Sequence, residues 1–399
     1  MALIKKLENI GNAIREKTGK TDLLTLEQMV TEIEAIETGG GSAELPEEAY
    51  LITGDCASMF SNGKWAWYLD MYRDKVTTEE ITKADNMFSG SEIEEIPFDL
   101  NFKGNSYENQ NAIFQLCTKL KKISGKIVNM YPAQLQNFFN SDTLLQEIPE
   151  FVNLNMNRIY TYGYSNLSSI FTNCSSLRRI PEELLKQLYT PMATSHYYTV
   201  FYNGFYTCYA LDELIGLNPQ SGALTSNTFI TTFNECRRLK EIIFATQEDG
   251  TPYEVQWKSQ TIDLTKNVGH FNFTTNEWTE SSINSGINSS NICTYNSGIT
   301  KDKVIYDETT YAALKDDPDA FCMNNNTNKC AYSRYNHDSA VNTINSLPDT
   351  SAYLAANGGI NTIKFLGAAG SATDGGAINT LTEEEIAVAT AKGWTVTLV

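Results

Sequence analysis

The chain has 399 residues, enough for two or three domains, and sets 48 acidic against 30 basic residues for a formal charge of −18. With no basic stripe to offset it, that balance argues against nucleic acid as a partner, because a polyphosphate is repelled. No apolar run reaches the roughly 18 residues that a membrane span needs.

Leu3, Leu7, Ile10 and Ile14 recur at spacings of 4, 3 and 4. This is a heptad seam on a short helix that ends at Thr18-Gly19, where glycine suits a left-handed cap. Thr25-Leu26-Glu27-Gln28 has the form of a capping box with Leu24 as its staple, and Leu26, Met29 or Val30, Ile33 and Ile36 make the apolar face of a second helix. Gly39-Gly40-Gly41-Ser42 ends that helix, and 39–45 reads as a flexible linker. Two helices within residues 1–38 cannot bury a self-sufficient core. The segment either caps the rest of the chain or docks elsewhere. The glycine linker favours docking or self-association through Leu3, Leu7, Ile10, Ile14, Met29, Ile33 and Ile36. Residues 10–19 followed by 26–33 resemble a short module near the N-terminus of many phage tail and baseplate proteins. The resemblance implies attachment to other virion proteins and a homo-oligomer, with a trimer as first choice. Met1 to Asn9 is broken by charge at every turn and does not read as a signal peptide.

Residues 46–245 carry an internal repeat, Phe-x-x-Cys-x-x-Leu-x-x-Ile. It is complete at Phe114/Cys117/Leu120/Ile123, Phe171/Cys174/Leu177/Ile180, Phe205/Cys208/Leu211/Leu214 and Phe233/Cys236/Leu239/Ile242. Phe139/Asp142/Leu145/Ile148 departs at the Cys position, Phe88/Ile93/Ile96 is one residue short and Phe60/Ala66/Leu69 is marginal. Successive Phe anchors lie 28, 26, 25, 32, 34 and 28 residues apart, the length of one solenoid coil with insertions. Such coils bury their apolar faces only against one another. Each Leu-x-x-Ile predicts a short strand, ended by proline at Ile96-Pro97, Ile148-Pro149 and Ile180-Pro181. The Phe-x-x-Cys stretch predicts a helical turn. One Cys per coil reads as a small core spacer, with a disulfide between adjacent coils left open and no spacing suited to zinc. The runs 137–140, 170–181 and 232–242, with Asn86-Met87-Phe88, resemble the BspA-type leucine-rich repeat. The resemblance implies an α/β fold: a leucine-rich-repeat-like solenoid preceded by a short helical N-terminal module. It also implies binding without turnover, in surface adhesins of bacteria and protozoa or virion proteins of bacteriophages.

Residues 246–329 lose the repeat and read as a polar insert with short strands, in which Cys322 and Cys330 are the better candidates for a disulfide. From 330 to 399 order returns. A helix is predicted at 339–347, a strand at 362–365, a helix after Thr382 that ends at Gly393, and a last strand at 394–398. Helix then strand, twice, closes the repeat.

Little in the chain suggests catalysis. His196, His270 and His337 are far apart, no serine or cysteine sits in a nucleophile context, and the glycine-rich 367–376 lacks the Lys-Ser/Thr of a phosphate loop. Asp316-Asp317-Pro318-Asp319 lacks calcium-loop spacing. Glu94-Glu95 and Glu182-Glu183 are adjacent and so do not form a glycosidase pair. Neither a cofactor nor a metal is expected. The 21 tyrosines cluster instead. Trp65 and Trp67, then Tyr160, Tyr162 and Tyr164, then Tyr197, Tyr198 and Tyr202 either fill coils widened by insertions or form an exposed contact face for a host cell-surface glycan or protein. Without an export signal or wall anchor, the expectation is a non-catalytic protein of a phage tail, baseplate or fibre, made in the host cytoplasm. The alternative is an adhesin-like bacterial surface protein.

Overall fold

The computed structural model describes residues 50–104, 110–157, 167–189, 201–229, 231–236, 239–264, 337–365 and 381–398, with 66 and 67 by backbone alone. It also describes the helical residues 11, 12, 14, 15 and 313, and the backbone of strands at 269–272, 277–279, 304–305, 321–326 and 329–333.

Seven phenylalanine rings stack one on the next, from Phe60 through Phe88, Phe114, Phe139, Phe171 and Phe205 to Phe233. Their centroids are 5.2–6.0 Å apart and their planes lie within 12° of parallel. That is the offset geometry in which aromatic faces attract. All seven side chains are buried, so each contributes one layer to a common core.

The backbone is bonded layer to layer at the same places. The N–H groups of Phe60, Phe88, Phe114, Phe139, Phe171 and Phe205 donate to the carbonyls of Met87, Ile113, Phe138, Ile170, Gly204 and Thr232, at 2.7–3.2 Å. Amides two residues to either side do likewise, as Ser169 does to Tyr202 and Asn173 to Tyr206. The amide of the Cys position turns back, Cys174 to Phe171 and Cys208 to Phe205, and that of Cys117 is shared between Phe114 and Asp142 Oδ1 of the next layer. Alternate amides therefore point across and along the stack. An α-helix directs all of them along its own axis, so the expected helical turn is replaced by overlapping β-turns. The geometry puts the residues flanking each ring at positive φ: Ser58, Asn62, Asn86, Asn137, Ser141, Ser169, Asn173 and Asn203 lie at 50–68°. Asparagine tolerates that region best. Ala112, Leu116, Thr207 and Glu235 adopt it too, so there the interlayer hydrogen bonds override residue preference.

Short parallel strands flank the turns. Leu51–Asp55 pairs with Thr77–Lys83, Glu95–Ile96 with Lys122–Ile123, and Glu213–Leu217 with Glu241–Phe244. A second row runs Leu100–Asn101, Ile127–Val128, Phe151–Val152. At Gly125 the chain passes the preceding layer so closely that a Cβ would sit 1.9 Å from the Phe98 carbonyl oxygen.

Beyond Phe233 the core continues without Phe-x-x-Cys anchors. Trp257, fully buried, meets the rings of Phe201, Phe229, Phe244 and Trp394 at 5.5–6.4 Å. Its indole N–H donates to Ser221 Oγ at 2.8 Å, and that of Trp394 to the Pro348 carbonyl at 2.9 Å. The segment read as a polar insert from 246 thus supplies Val255, Trp257, Ile262 and Leu264 to the core. Apolar alternation, which is weaker than a repeated Phe, carries that signal. The helix His337–Ser346 covers the free edge of Glu241–Phe244. There Thr343 Oγ1 donates to the Ile242 carbonyl at 2.6 Å, and Ser346 Oγ accepts the Phe244 N–H at 3.0 Å. Side chains thereby satisfy an edge that would otherwise be open to pairing. Thr261–Asp263, Asn361–Phe365 and Trp394–Leu398 form a parallel sheet. The helix Glu383–Ala391 begins at a capping box between Thr382 and Glu385. A further helix, Ser351–Asn357, precedes the middle strand.

In the hairpin of Phe321–Asn326 and Lys329–Ser333, Cys322 lies opposite Ser333, and Cys330 opposite Asn325. Three register steps, ~10 Å along a strand, separate the two cysteines. That exceeds the reach of a disulfide and rules out the pairing suggested by sequence. Among the described residues no helix is long and apolar enough to cross a membrane.

Candidate functional site

Several residues singled out by sequence are placed inward. Trp65 is half-buried, packs against the core and starts the helix Ala66–Tyr72 at φ 56°. Tyr202 is half-buried, and its carbonyl accepts the Ser169 amide of the layer before. Ile14 is fully buried within the chain's own apolar cluster. Tyr160, Tyr162, Tyr164, Tyr197, Tyr198, the Trp67 side chain, and Leu3, Leu7, Ile10, Met29, Ile33 and Ile36 lie outside the described residues.

The repeat cysteines have a structural use. Each thiol donates to the Phe carbonyl of the preceding layer: Cys117 to Phe88, Cys174 to Phe139, Cys208 to Phe171 and Cys236 to Phe205, at 2.9–3.0 Å. Burial pushes all four thiols up, so none is poised as a nucleophile. Asp142 stands at the same position in the Phe139 layer.

Charged groups pair across layers on an exposed face. Lys119 reaches Glu92 at 2.9 Å, Lys121 reaches Glu94 at 2.8 Å and Lys126 reaches Glu150 at 2.9 Å. The Lys121 hydrogen bond lowers the Glu94 carboxyl, in an exposed pair of the kind that contributes little to stability. His337 is joined to Asp338 and Glu385, both at 3.2 Å, and ties two helices together. Among the described residues no group of His, Cys, Asp and Glu is arranged to hold a metal ion.

Among the described residues a groove of about 700 Å³ lies beside the second strand row. That volume falls within the range of small-molecule sites. Asn129 and Asn153 take equivalent places in two successive layers, at φ 56° and 58°, and Gly104, at φ 76°, lies against Asn129. After Asn153 the chain alternates. Asn153, Asn155 and Asn157 are exposed, Met156 points inward and Leu154 is half-buried. Met130, Leu154 and Met156 give the groove an apolar floor, and Gln187 and Tyr189 close its far side. Asn153 Nδ2 donates to Asn129 Oδ1 at 2.9 Å, and the Tyr189 hydroxyl donates to Asn157 Oδ1 at 3.3 Å. Among the described residues no carboxylate lines the groove. The charge that does, Lys103, pairs with Glu80 at 3.3 Å. Sequence reasoning passed over this row. The available signal was Asn153-Leu154-Asn155-Met156-Asn157, where a period of two sets three amides on one face. Compared with known proteins, the chain matches no family model, no curated protein and no solved structure.

Proposed function

We propose that this chain is a structural protein of a bacteriophage virion, in the tail, baseplate or a fibre. It is built as a leucine-rich-repeat solenoid behind a helical N-terminal module. On this reading it presents a host-recognition or assembly surface and performs no catalysis. The observation that carries the reading is the register-locked ladder from Phe60 to Phe233, in which rings stack layer on layer, backbone amides bond to the next layer and thiols to the preceding one. Stacked repeats of this kind offer long surfaces with many places for side-chain variation and serve mostly in binding. The resemblance of residues 10–33 to a phage tail module points to the virion. Attachment and trimerisation fall to the apolar positions of that module.

Mass spectrometry of purified virions tests this. The chain should be present at a fixed ratio to the tail proteins, and its absence would sink the proposal. Recovery from the bacterial surface in place of virions would favour the adhesin-like alternative.

A further inference from the structure

We propose that the groove beside Asn129, Asn153, Asn155 and Asn157 binds an uncharged oligosaccharide. This rests on the reading of the stack as a recognition surface and assigns the ligand class.

Each lining amide is half used by the protein and half left over. Asn129, Asn155 and Asn157 spend their side-chain oxygens on Asn153 Nδ2, the Asn157 N–H and the Tyr189 hydroxyl. Their Nδ2 groups have no hydrogen-bond partner among the described residues. Gln187 donates Nε2 to the Glu183 carbonyl at 2.8 Å, and Asn153 donates to Asn129, which leaves two side-chain oxygens as acceptors. The groove therefore offers three donors and two acceptors, held by the contacts already made. Neighbouring sugar hydroxyls each give and take a hydrogen bond, and a row of planar carboxamides answers both needs. The C–H faces of a sugar ring suit the apolar floor of Met130, Leu154 and Met156 and the ring of Tyr189.

Charge selects further. Lys103 is neutralised by Glu80, so an acidic sugar finds no free cation among the described residues of the groove and meets a chain of charge −18. A peptide strand would need open backbone groups at the rim. At the groove itself the Asn129 N–H already bonds to Val152 at 2.8 Å and the Asn155 N–H to Met130 at 2.9 Å, so these two groups are not open to a peptide. Left-handed φ alone accounts for Asn129 and Asn153, but not for Asn155, Asn157 and Gln187, none of which adopts it.

The test is saturation-transfer NMR and calorimetry on the full chain. The neutral probes are cellohexaose, maltohexaose, mannohexaose and chitohexaose, with hexagalacturonate as the acidic control. At least one neutral sugar should bind, and hexagalacturonate should not. Asn155→Ala with Asn157→Ala, and separately Gln187→Ala on the face of its short helix, should weaken binding at least tenfold and leave the melting temperature unchanged. Silence from all four neutral sugars, preference for the acidic one, or binding untouched by the groove variants would overturn the assignment. If the double variant melts early, Gln187→Ala alone decides. A chain found in virions that binds none of the sugars would leave the virion reading standing and remove only this one.

Discussion

At Asp142 the ladder is interrupted by a single residue. The side chain is fully buried, Oδ1 accepts the Cys117 amide at 2.9 Å, and Oδ2 has no partner among the described residues. Burial raises the carboxyl well above its ordinary range, against the opposing hydrogen bond from Cys117. The folded chain therefore keeps this proton to higher pH than the unfolded chain does, at a position where other layers place a thiol. The unfolded chain releases that proton near the usual value of about 3.9. Between the unfolded and folded values the native state holds one proton more. This contribution is full below the unfolded value and is lost as pH rises through the folded one. Asp142→Cys should remove that slope and, at pH 8, raise stability by about 1–3 kcal/mol, the cost of an unsatisfied buried group. Denaturant midpoints at pH 5 and pH 8 measure it, and an equal change in both proteins would contradict this account of Asp142. The thiols of Cys117, Cys174, Cys208 and Cys236 should react with a thiol reagent only as fast as the chain opens, since all four are buried and held protonated. Rapid labelling of the native protein would refute their place in the ladder.

At the scale of elements, contact between successive layers decides what is tolerated. Gly125→Ala places a methyl group against the Phe98 backbone, which cannot rotate away. It should lower stability by about 1–3 kcal/mol, the usual cost of overpacking, whereas alanine at exposed Gly250, with open space around its Cβ position, strains only its own backbone. Thermal melts of the two variants separate close approach from loss of flexibility. At the C-terminal end, burial lowers the His337 imidazole, but its hydrogen bonds to Asp338 and Glu385 outweigh that and raise it on balance. Its contribution is full below the ordinary histidine value of about 6.5 and is lost as pH rises through the raised one. Because His337 is about a third exposed and Asp338 stands in solvent, the effect should be small, about 0.5 kcal/mol. An NMR titration placing His337 at or below the ordinary value would contradict it. Elements differ in how much of them is legible in sequence. Thr382 and Glu385 announce their helix because both halves of a capping box are local. The β-turn form of Phe-x-x-Cys is hidden, since it depends on amides bonding to a layer 24 or more residues away, and Leu116 and Glu235 give no local sign of left-handed backbone. The groove is hidden for the same reason: Asn129, Asn157 and Tyr189 meet only after stacking.

For the whole molecule, the order of the ring stack is readable because one large residue recurs at one phase, and each ring finds the next at 5.2–6.0 Å. Where the anchor changes from Phe to Trp257, the reading fails although the core does not. Function depends on the same continuity, because a groove crossing several layers keeps its shape only while the layers stay in register. Native-state amide hydrogen exchange tests that continuity most directly. The amides of Phe88, Phe114, Phe139, Phe171 and Phe205 should be among the slowest in the chain and should exchange together, at the free energy of global unfolding. Fast exchange at these amides, or layers that open independently at unrelated free energies, would contradict a single register-locked stack.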